Sequence, residues 1–263
     1  MVTQEPSLNW QMRVIDSSSG NSYMGEFRNQ RVFIKVNANP LLPSLSTEGI
    51  APKIQWIRKT QSGETLTAQS WIEGGTLSPA DMMDEQVFEL LKKLHTSRNL
   101  RDSLSTFDRT VSRPAEILSI LLTKPDSVIA NNTFLRGVAD SMLETVPYLN
   151  NLSIVVVHGN VSPNNWLRAA DSGRIYLIDW ETVSLGDAYL DNAYLLSHFI
   201  PRKHWGVWLA KSGDRLSDVA SLAKFIWYGK LSYLKQIDSY LSQNNTMAAN
   251  AEIQGLRRFI EMF

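Results

Sequence analysis

The sequence predicts an α+β protein, with strands in its first part and helices in its second. Short β-rich runs separated by turn residues fill about the first 70 residues, whereas apolar residues recur at helical spacing after Gly74-Gly75. Two short apolar runs in the second part refine this fold class. The apolar runs Ile154–Val157 and 175–178 are as short as strands. The helical part is therefore expected to hold a small β insert.

The strands of the first part follow from residue type and alternation. Residues 11–15 alternate between polar and apolar, and residues 32–36 read Val-Phe-Ile-Lys-Val. Residues 65–71 predict another strand, and residues 16–21, Asp-Ser-Ser-Ser-Gly-Asn, form a turn cluster. Residues 45–58 contain a proline, so any helix there is expected to be short or broken.

Helix signals dominate the second part. Ser78, Pro79 and Asp81 combine an N-cap, a proline at the first helical position and an acid in the first turn. The helix predicted from there to His95 carries four apolar residues on one face: Val87, Leu90, Leu91 and Leu94. Helical spacing returns after Asp187 in a second apolar set: Leu222, Phe225, Ile226, Tyr233 and Ile237. These patterns predict a β-rich N-lobe over 1–73 and a mostly helical C-lobe over 74–263.

Composition excludes several classes of partner. Lys plus Arg and Asp plus Glu each number 26, so no net charge attracts the chain to nucleic acid. The absence of cysteine excludes disulfides and thiolate metal sites and fits a reducing compartment. The sequence lacks a signal-peptide pattern and any apolar run long enough to cross a bilayer. A soluble, cytoplasmic protein that binds no nucleic acid and has no membrane span is expected.

The most informative segment begins at His158 and reads His-Gly-Asn-Val-Ser-Pro-Asn-Asn. Kinases place a residue that orients the acceptor hydroxyl five positions before an Asn, and use that Asn with a later Asp to hold magnesium against phosphates. Here Asn165 follows Asn160 by five residues, and Asp179 ends a β-rich run fourteen residues further on. The spacing predicts phosphoryl transfer, with one loop presenting residues 160 and 165 and a hairpin returning Asp179 beside them.

These motifs resemble the aminoglycoside phosphotransferase/choline kinase family, whose signature is His-Gly-Asp-x-x-x-x-Asn followed by Ile-Asp-Trp-Glu. The resemblance spans nearly the whole chain. Within the family, the chain is most similar to the firmicute phosphotransferases of the YtmP/CcrZ type. The shared features are Ser-Gly-x-x-Tyr-Met-Gly at 19–25, Ile-Ala-Pro at 50–52, Asn-Trp at 165–166 and Trp-Tyr-Gly-x-Leu-Ser-Tyr-Leu at 227–234. The resemblance implies a protein-kinase-like fold with a cleft between its lobes.

The resemblance also implies a role for individual residues toward ATP and Mg²⁺. The hairpin 17–25 would cover the phosphates, Lys35 would hold them with Glu48 as its ion-pair partner, and residues 69–73 would form the hinge at the adenine. The implied nucleotide-binding residues are Gly20, Tyr23, Gly25, Lys35, Glu48 and Trp71. The implied metal ligands are Asn165 and Asp179, which with Asn160 make up the catalytic set. His158 and Asp191 are expected to brace the loop, and His95 is expected to be a core or brace histidine rather than a ligand.

One position departs from the family pattern. Asn160 stands where the family has the Asp that accepts the proton, and a neutral amide cannot accept one. The resemblance therefore supports an ATP-dependent phosphotransferase acting on a hydroxyl of a small molecule such as a sugar, a nucleoside or a choline-like compound. It equally leaves open an impaired, MgATP-binding pseudokinase that regulates or scaffolds a protein partner, since the related firmicute proteins are linked to cell-cycle control.

Overall fold

The computed structural model describes residues 11–15, 21–27 and 29–263, so the predicted turn at 16–21 lies outside the described residues except for Asn21, and Gly20 is among the residues left out. The described chain forms two compact units, one within 1–76 together with 165–181 and one from 77–164 with 182–263. The first contains antiparallel sheet and the second is mostly helical. The predicted α+β class is therefore confirmed.

The main sheet of the first unit is antiparallel. Its strands and the short helix described between them have these bounds: β1 Gln11–Val14, β2 Ser22–Phe27, β3 Gln30–Val36, α1 Leu42–Thr47, β4 Ile54–Lys59 and β5 Thr65–Ser70. The strand order is β1-β2-β3-β5-β4. The strands predicted at 11–15, 32–36 and 65–71 are confirmed. The region 45–58 contains the end of α1 and also β4, a strand that the proline-based prediction missed.

One face of this sheet buries a small apolar core. Val32 and Ile34 on β3 alternate with exposed or half-buried neighbours, and both are buried against Ala68 on β5. Partly buried apolar side chains pack around them: Tyr23, Trp56 and Leu66. The alternation of a half-buried strand thus fixes which side chains of β3 point away from the core, and Lys35 is one of them.

A second sheet joins residues 165–181 to the first unit. It has the order β10-β9-β6, with β6 Gly74–Thr76, β9 Trp166–Ala169 and β10 Ile175–Leu177. The backbone N–H of Leu177 also donates to the carbonyl of Ile50 (3.0 Å), next to α1. The sequence division at 73/74 assigned this hairpin to the helical lobe. The structure packs it with the β-rich unit because β9 pairs with β6.

The second unit consists mainly of helices. Among the described residues its α-helices are α2 Glu85–Thr96, α3 Arg98–Ser105, α4 Pro114–Thr123, α5 Val128–Asn131, α6 Thr133–Leu143, α7 Tyr189–His198, α8 Arg202–Lys211, α9 Val219–Ser242 and α10 Thr246–Ile260. Three short strands form its sheet in the order β7-β11-β8: β7 Val111–Ser112, β8 Ile154–Val157 and β11 Ser184–Asp187. The predicted β insert is therefore divided between the two units. In the second unit β8 pairs with β11, whereas in the first unit β9 pairs with β10.

The helix predicted from 78 to 95 is interrupted, which corrects that prediction. A short 3₁₀ helix, Pro79–Met83, begins at the predicted site, where the backbone N–H of Ser78 donates to Asp81 (2.9 Å). Asp84 then ends it and caps α2, accepting a hydrogen bond from the backbone N–H of Gln86 (2.9 Å). A second N-cap inside the run was overlooked because the apolar spacing continues across it.

No helix within the described ranges is long and apolar enough to cross a membrane.

Close packing between α9 and α10 yields a stability prediction. A methyl group at Gly229, within α9, would overlap the ring of Phe259, which is buried. Gly229→Ala is therefore expected to lower the free energy of unfolding by ~1–3 kcal/mol, measured by denaturant titration. Gly206→Ala is the matched control, because a methyl group at this exposed glycine of α8 meets no atom within 4 Å. It should leave stability unchanged or raise it by up to ~1 kcal/mol. Equal effects in both variants would contradict the packing.

Candidate active site

Lys35 on β3 faces two carboxylates of the same unit. Its Nζ lies 2.6 Å from Oε1 of Glu181 and 3.3 Å from Oδ1 of Asp179. The Lys35 side chain is 16% exposed, and the two carboxylates are 35% and 44% exposed, so all three remain open to a ligand. An ammonium group binds phosphate oxygens and a carboxylate binds divalent cations. The cluster thus has the groups that a metal-bound phosphate requires.

The backbone at Asp179 turns sharply. Its φ of 63° lies in the left-handed region, which Asp and Asn adopt more readily than most residues. The preceding N–H, that of Ile178, donates to the carbonyl of Asn165 (2.9 Å), and Trp166 on β9 pairs with Leu177 on β10. Asn165 and Asp179, fourteen residues apart in sequence, consequently lie at the same end of one hairpin.

The donor atoms at this hairpin end fit a magnesium ion. Asp179 offers a carboxylate and Asn165, which is 8% exposed, offers an amide oxygen. The described residues contain no group of three or more His, Asp or Glu side chains that could hold a metal by themselves. Mg²⁺ needs no such group, since it is usually bound by one or two side chains, water and the phosphates of the substrate. The assignment of these two residues as ligands stays a prediction.

Glu48, the predicted partner of Lys35, lies at the C-terminal end of α1 and is half-buried. The carboxylates that the structure places against Lys35 are those of Asp179 and Glu181. The ion pair between Glu48 and Lys35 remains a prediction.

The other predicted nucleotide residues lie on β2 and after β5. Gly25 is buried in β2 opposite Val32, and Tyr23 packs against the sheet core. Trp71 directly follows β5, and its indole nitrogen is buried without a hydrogen-bond acceptor among the described residues. The chain after Trp71 is anchored within the unit, because Ala170 donates its N–H to the carbonyl of Glu73 (2.8 Å).

In the second unit Asp191 braces the loop that begins at His158. One carboxylate oxygen accepts from the backbone N–H of His158 (2.9 Å) and the other from that of Gly159 (2.8 Å). Nε2 of His95 contacts the first oxygen at 2.9 Å, and Asp191 is fully buried. The expected roles of Asp191 and His95 as braces are confirmed by these contacts.

This network also sets the ionisation of Asp191. Burial alone would raise the pKa of its carboxyl group, but the hydrogen bond and charge of His95, together with the charge and backbone N–H of His158, hold that pKa below its ordinary value. The carboxylate therefore stays charged in the folded protein, and it holds the loop through charge-assisted hydrogen bonds.

Gly159 and His158 shape the turn that presents Asn160. Gly159 has φ +80°, and a Cβ there would come within 2.9 Å of the carbonyl oxygen of Thr182, so glycine is required. The imidazole of His158 is buried and its Nδ1 accepts from the backbone N–H of Asn160 (3.3 Å). The side chain of Asn160 stays partly exposed and lines a pocket whose empty volume is about 320 Å³, counting the part open to solvent.

Comparison with known proteins defines the family of the chain. The sequence profile of the phosphotransferase enzyme family, APH, matches residues 37–225, well over half the chain. The protein therefore belongs to the phosphotransferase enzyme family. The resemblance drawn from its motifs is confirmed at this level, while the narrower likeness to the YtmP/CcrZ type stays a prediction.

Solved structures with the same fold include kinases of small molecules. The choline kinase LicA from Streptococcus pneumoniae is 16% identical, with a TM-score of 0.65 over 94% of this chain and 93% of that one. The aminoglycoside 2'-phosphotransferase-IIIa in its GDP complex is 14% identical, with a TM-score of 0.65 over 98% and 95%. A choline/ethanolamine kinase family protein from Mesorhizobium loti is 15% identical, with a TM-score of 0.62 over 97% and 90%. At these identities the likeness establishes the protein-kinase-like fold.

Two residues of these sites carried no clear signal in the sequence. Glu181 is the last residue of the Ile-Asp-Trp-Glu motif, which gave it no role of its own, yet its carboxylate is the nearer of the two to Lys35. Lys235 was not singled out, although it shares a face of α9 with the buried Leu231 four residues earlier. No pattern in the sequence marks it, since serine, glutamine and aspartate lie on the same part of the helix.

Proposed function

We propose that this protein transfers the γ-phosphate of ATP to a hydroxyl group of a small molecule. The observation that carries the proposal is the meeting of Lys35 with Asp179, at 3.3 Å, in a chain of the phosphotransferase family. Kinases use a strand lysine and a metal-binding aspartate on the same phosphates, and these two residues occupy the corresponding positions in the sequence motifs. The proposed enzyme acts in the cytoplasm.

Each predicted residue has a role in this proposal. Lys35 holds the phosphates, assisted by Glu48, and the hairpin residues Gly20, Tyr23 and Gly25 cover them. Trp71 lies in the hinge segment, whose backbone contacts the adenine edge. Asn165 and Asp179 would hold Mg²⁺, which bridges phosphate oxygens and neutralises the charge that develops during transfer.

Asn160 occupies the position from which the acceptor hydroxyl is oriented. Its amide can hydrogen-bond that hydroxyl but cannot take its proton. Because phosphoryl transfer depends mainly on positioning and charge neutralisation, transfer continues at a reduced rate. The proposed acceptors are those of the sequence analysis: a sugar, a nucleoside or a choline-like compound.

The same residue favours a second function. A chain that binds MgATP but lacks the base suits a pseudokinase that regulates or scaffolds a protein partner, for example in cell-cycle control. The enzyme is favoured because the chain keeps the family's residues at Lys35, Asn165 and Asp179. The regulator is favoured by Asn160. Measured turnover of any acceptor would support the enzyme and contradict the regulatory pseudokinase.

Nucleotide binding tests the common basis of both functions. Mg²⁺ should raise the ATP affinity of the unaltered protein, and Asp179→Asn should remove most of this gain. ATP affinity in the presence of Mg²⁺ should fall at least about tenfold, because an amide is a weaker ligand for Mg²⁺ than a carboxylate. Asparagine tolerates the positive φ at this position, so the backbone should persist. Calorimetric titration of ATP with and without Mg²⁺ measures the difference.

The matched control is Asp171→Asn. Asp171 is exposed, lies in the turn of the same β9–β10 hairpin and bonds only locally to Ser172 in the described structure. Its replacement should leave the magnesium effect intact. If Asp179→Asn keeps the full magnesium effect, or if the unaltered protein binds no ATP in the millimolar range, the proposed function fails.

A further inference from the structure

The pocket beside Asn160 contains one charged side chain, that of Lys235 on α9. It is formed by the loop at Gly159 and Asn160 together with residues of α7 and α9, all within the second unit. No carboxylate lines it among the described residues. Relatives that carry the family Asp at position 160 would have an anion in this place, whereas this chain has an amide.

The charge of Lys235 is only partly balanced. Its Nζ donates to the carbonyl of Gly159 (3.1 Å), which leaves two of its three N–H groups for other acceptors. Asp191 is the carboxylate that acts on it electrostatically, but the oxygens of Asp191 already accept from His158, Gly159 and His95. Burial lowers the pKa of Lys235 and the charge of Asp191 opposes this. In its protonated form a poorly solvated amine binds an electronegative ligand atom well, because that atom replaces the missing water.

The other polar groups of the pocket carry no charge. Asn160, Ser232 and Gln236 are neutral by nature. Burial, with the charge of Asp187, raises the pKa of the Tyr228 hydroxyl, and burial raises that of Tyr194, so both phenols stay protonated at neutral pH. Among the side chains that line the pocket, Lys235 is therefore the one that can carry a charge at neutral pH.

We infer that Lys235 determines the acceptor class: it repels cationic acceptors and donates to an oxygen of a neutral or anionic hydroxyl compound. The inference deepens the proposed function and rests on it. Two unit charges about 6 Å apart near a protein surface repel strongly enough to weaken binding by ~100-fold. A choline-like or aminoglycoside acceptor is thereby disfavoured, and a sugar or nucleoside, with or without an anionic substituent, is favoured.

A matched set of sugars tests this selection by binding rather than by turnover. Glucosamine, glucose and glucuronate share one ring and, at about pH 6, carry positive, zero and negative charge. Calorimetric titration in the presence of MgATP is expected to show glucosamine binding ~10–100-fold more weakly than glucose, with glucuronate at least as tight as glucose.

Variants of Lys235 separate its charge from its structural contact. Lys235→Gln keeps a donor for the Gly159 carbonyl while removing the charge, and Lys235→Met removes both. Each should reduce the preference against glucosamine to less than about threefold, an effect that loss of a brace alone would not produce. Lys230→Met, on the same helix but outside the pocket lining, is the control and should retain the preference.

Three outcomes would overturn the inference. The first is that the unaltered protein binds glucosamine as tightly as glucose or more tightly. The second is that Lys235→Gln keeps the order of affinities of the unaltered protein. The third is that none of the three sugars binds while MgATP does. ATP affinity measured in the same samples distinguishes this failure from failure of the proposed function, because the proposed function fails when MgATP does not bind. A charge preference that depends on Lys235 would still support the pocket assignment in that case.

Discussion

Asp191→Ala is expected to lower the free energy of unfolding by ~3–5 kcal/mol. The side chain is fully buried and satisfies two backbone N–H groups, those of His158 and Gly159, together with the imidazole of His95. Each buried donor left without a partner costs about 1–3 kcal/mol. Such a loss is a large part of the stability of an ordinary domain. The loop that presents Asn160 should loosen as well, so activity should fall even where the variant folds.

Urea titration at neutral pH measures this change, with Asp140→Ala as the control. Asp140 forms a half-exposed pair with Arg136 on α6, and its loss should cost less than about 0.5 kcal/mol. Since the pKa of Asp191 is lower in the folded state than in the unfolded state, its stabilisation is present at neutral pH and is lost as the pH falls below about 4. Asp191→Asn should therefore show a weaker acid destabilisation. Equal stability of Asp191→Ala and Asp140→Ala would contradict the bracing network.

Asn160→Asp is expected to raise kcat by ~100-fold or more. A carboxylate at this position would both orient the acceptor hydroxyl and accept its proton, whereas the amide does only the first. General-base catalysis typically contributes ~10²–10⁴-fold. The backbone at this position is already fixed by His158 and Gly159, so the new carboxylate requires no rearrangement of the loop.

Asn164→Asp provides the control for charge. It makes the same chemical change four residues along the same loop, at an exposed position. Its kcat should stay within about twofold of the unaltered protein. A similar rise in both variants would mean that added negative charge, rather than a base at 160, accelerates transfer. A rise in neither would mean that proton transfer does not limit the rate.

The sequence predicts the elements whose pattern is local. The alternation around Lys35 and the apolar spacing from Val87 to Leu94 led to strands and helices that the structure contains. The interruption at Asp84 was missed because a single capping residue can divide a helix without disturbing its apolar spacing. The strand β4 was missed because Pro52 was taken to disrupt its surroundings, although it lies just before the strand.

Long-range pairing was harder to predict than local structure. The spacing of Asn165 and Asp179 correctly indicated a hairpin, because two strands joined by a short turn return the chain on itself. The membership of that hairpin in the β-rich unit depends on pairing between β9 and β6, about ninety residues apart, which no local pattern encodes. The pairing of Lys35 with Glu181 and the placement of Lys235 beside Gly159 depend on tertiary packing in the same way.

Transfer of label from [γ-³²P]ATP tests the central claim most directly. The unaltered protein and Asn160→Asp are incubated in parallel with sugars, nucleosides, choline and aminoglycosides, and labelled products are separated from ATP and free phosphate. We expect both proteins to form a phosphorylated hydroxyl compound in a magnesium-dependent reaction, and Asn160→Asp to form it faster. Absence of any labelled acceptor with either protein, despite tight MgATP binding, would contradict the phosphotransferase and favour the regulatory pseudokinase.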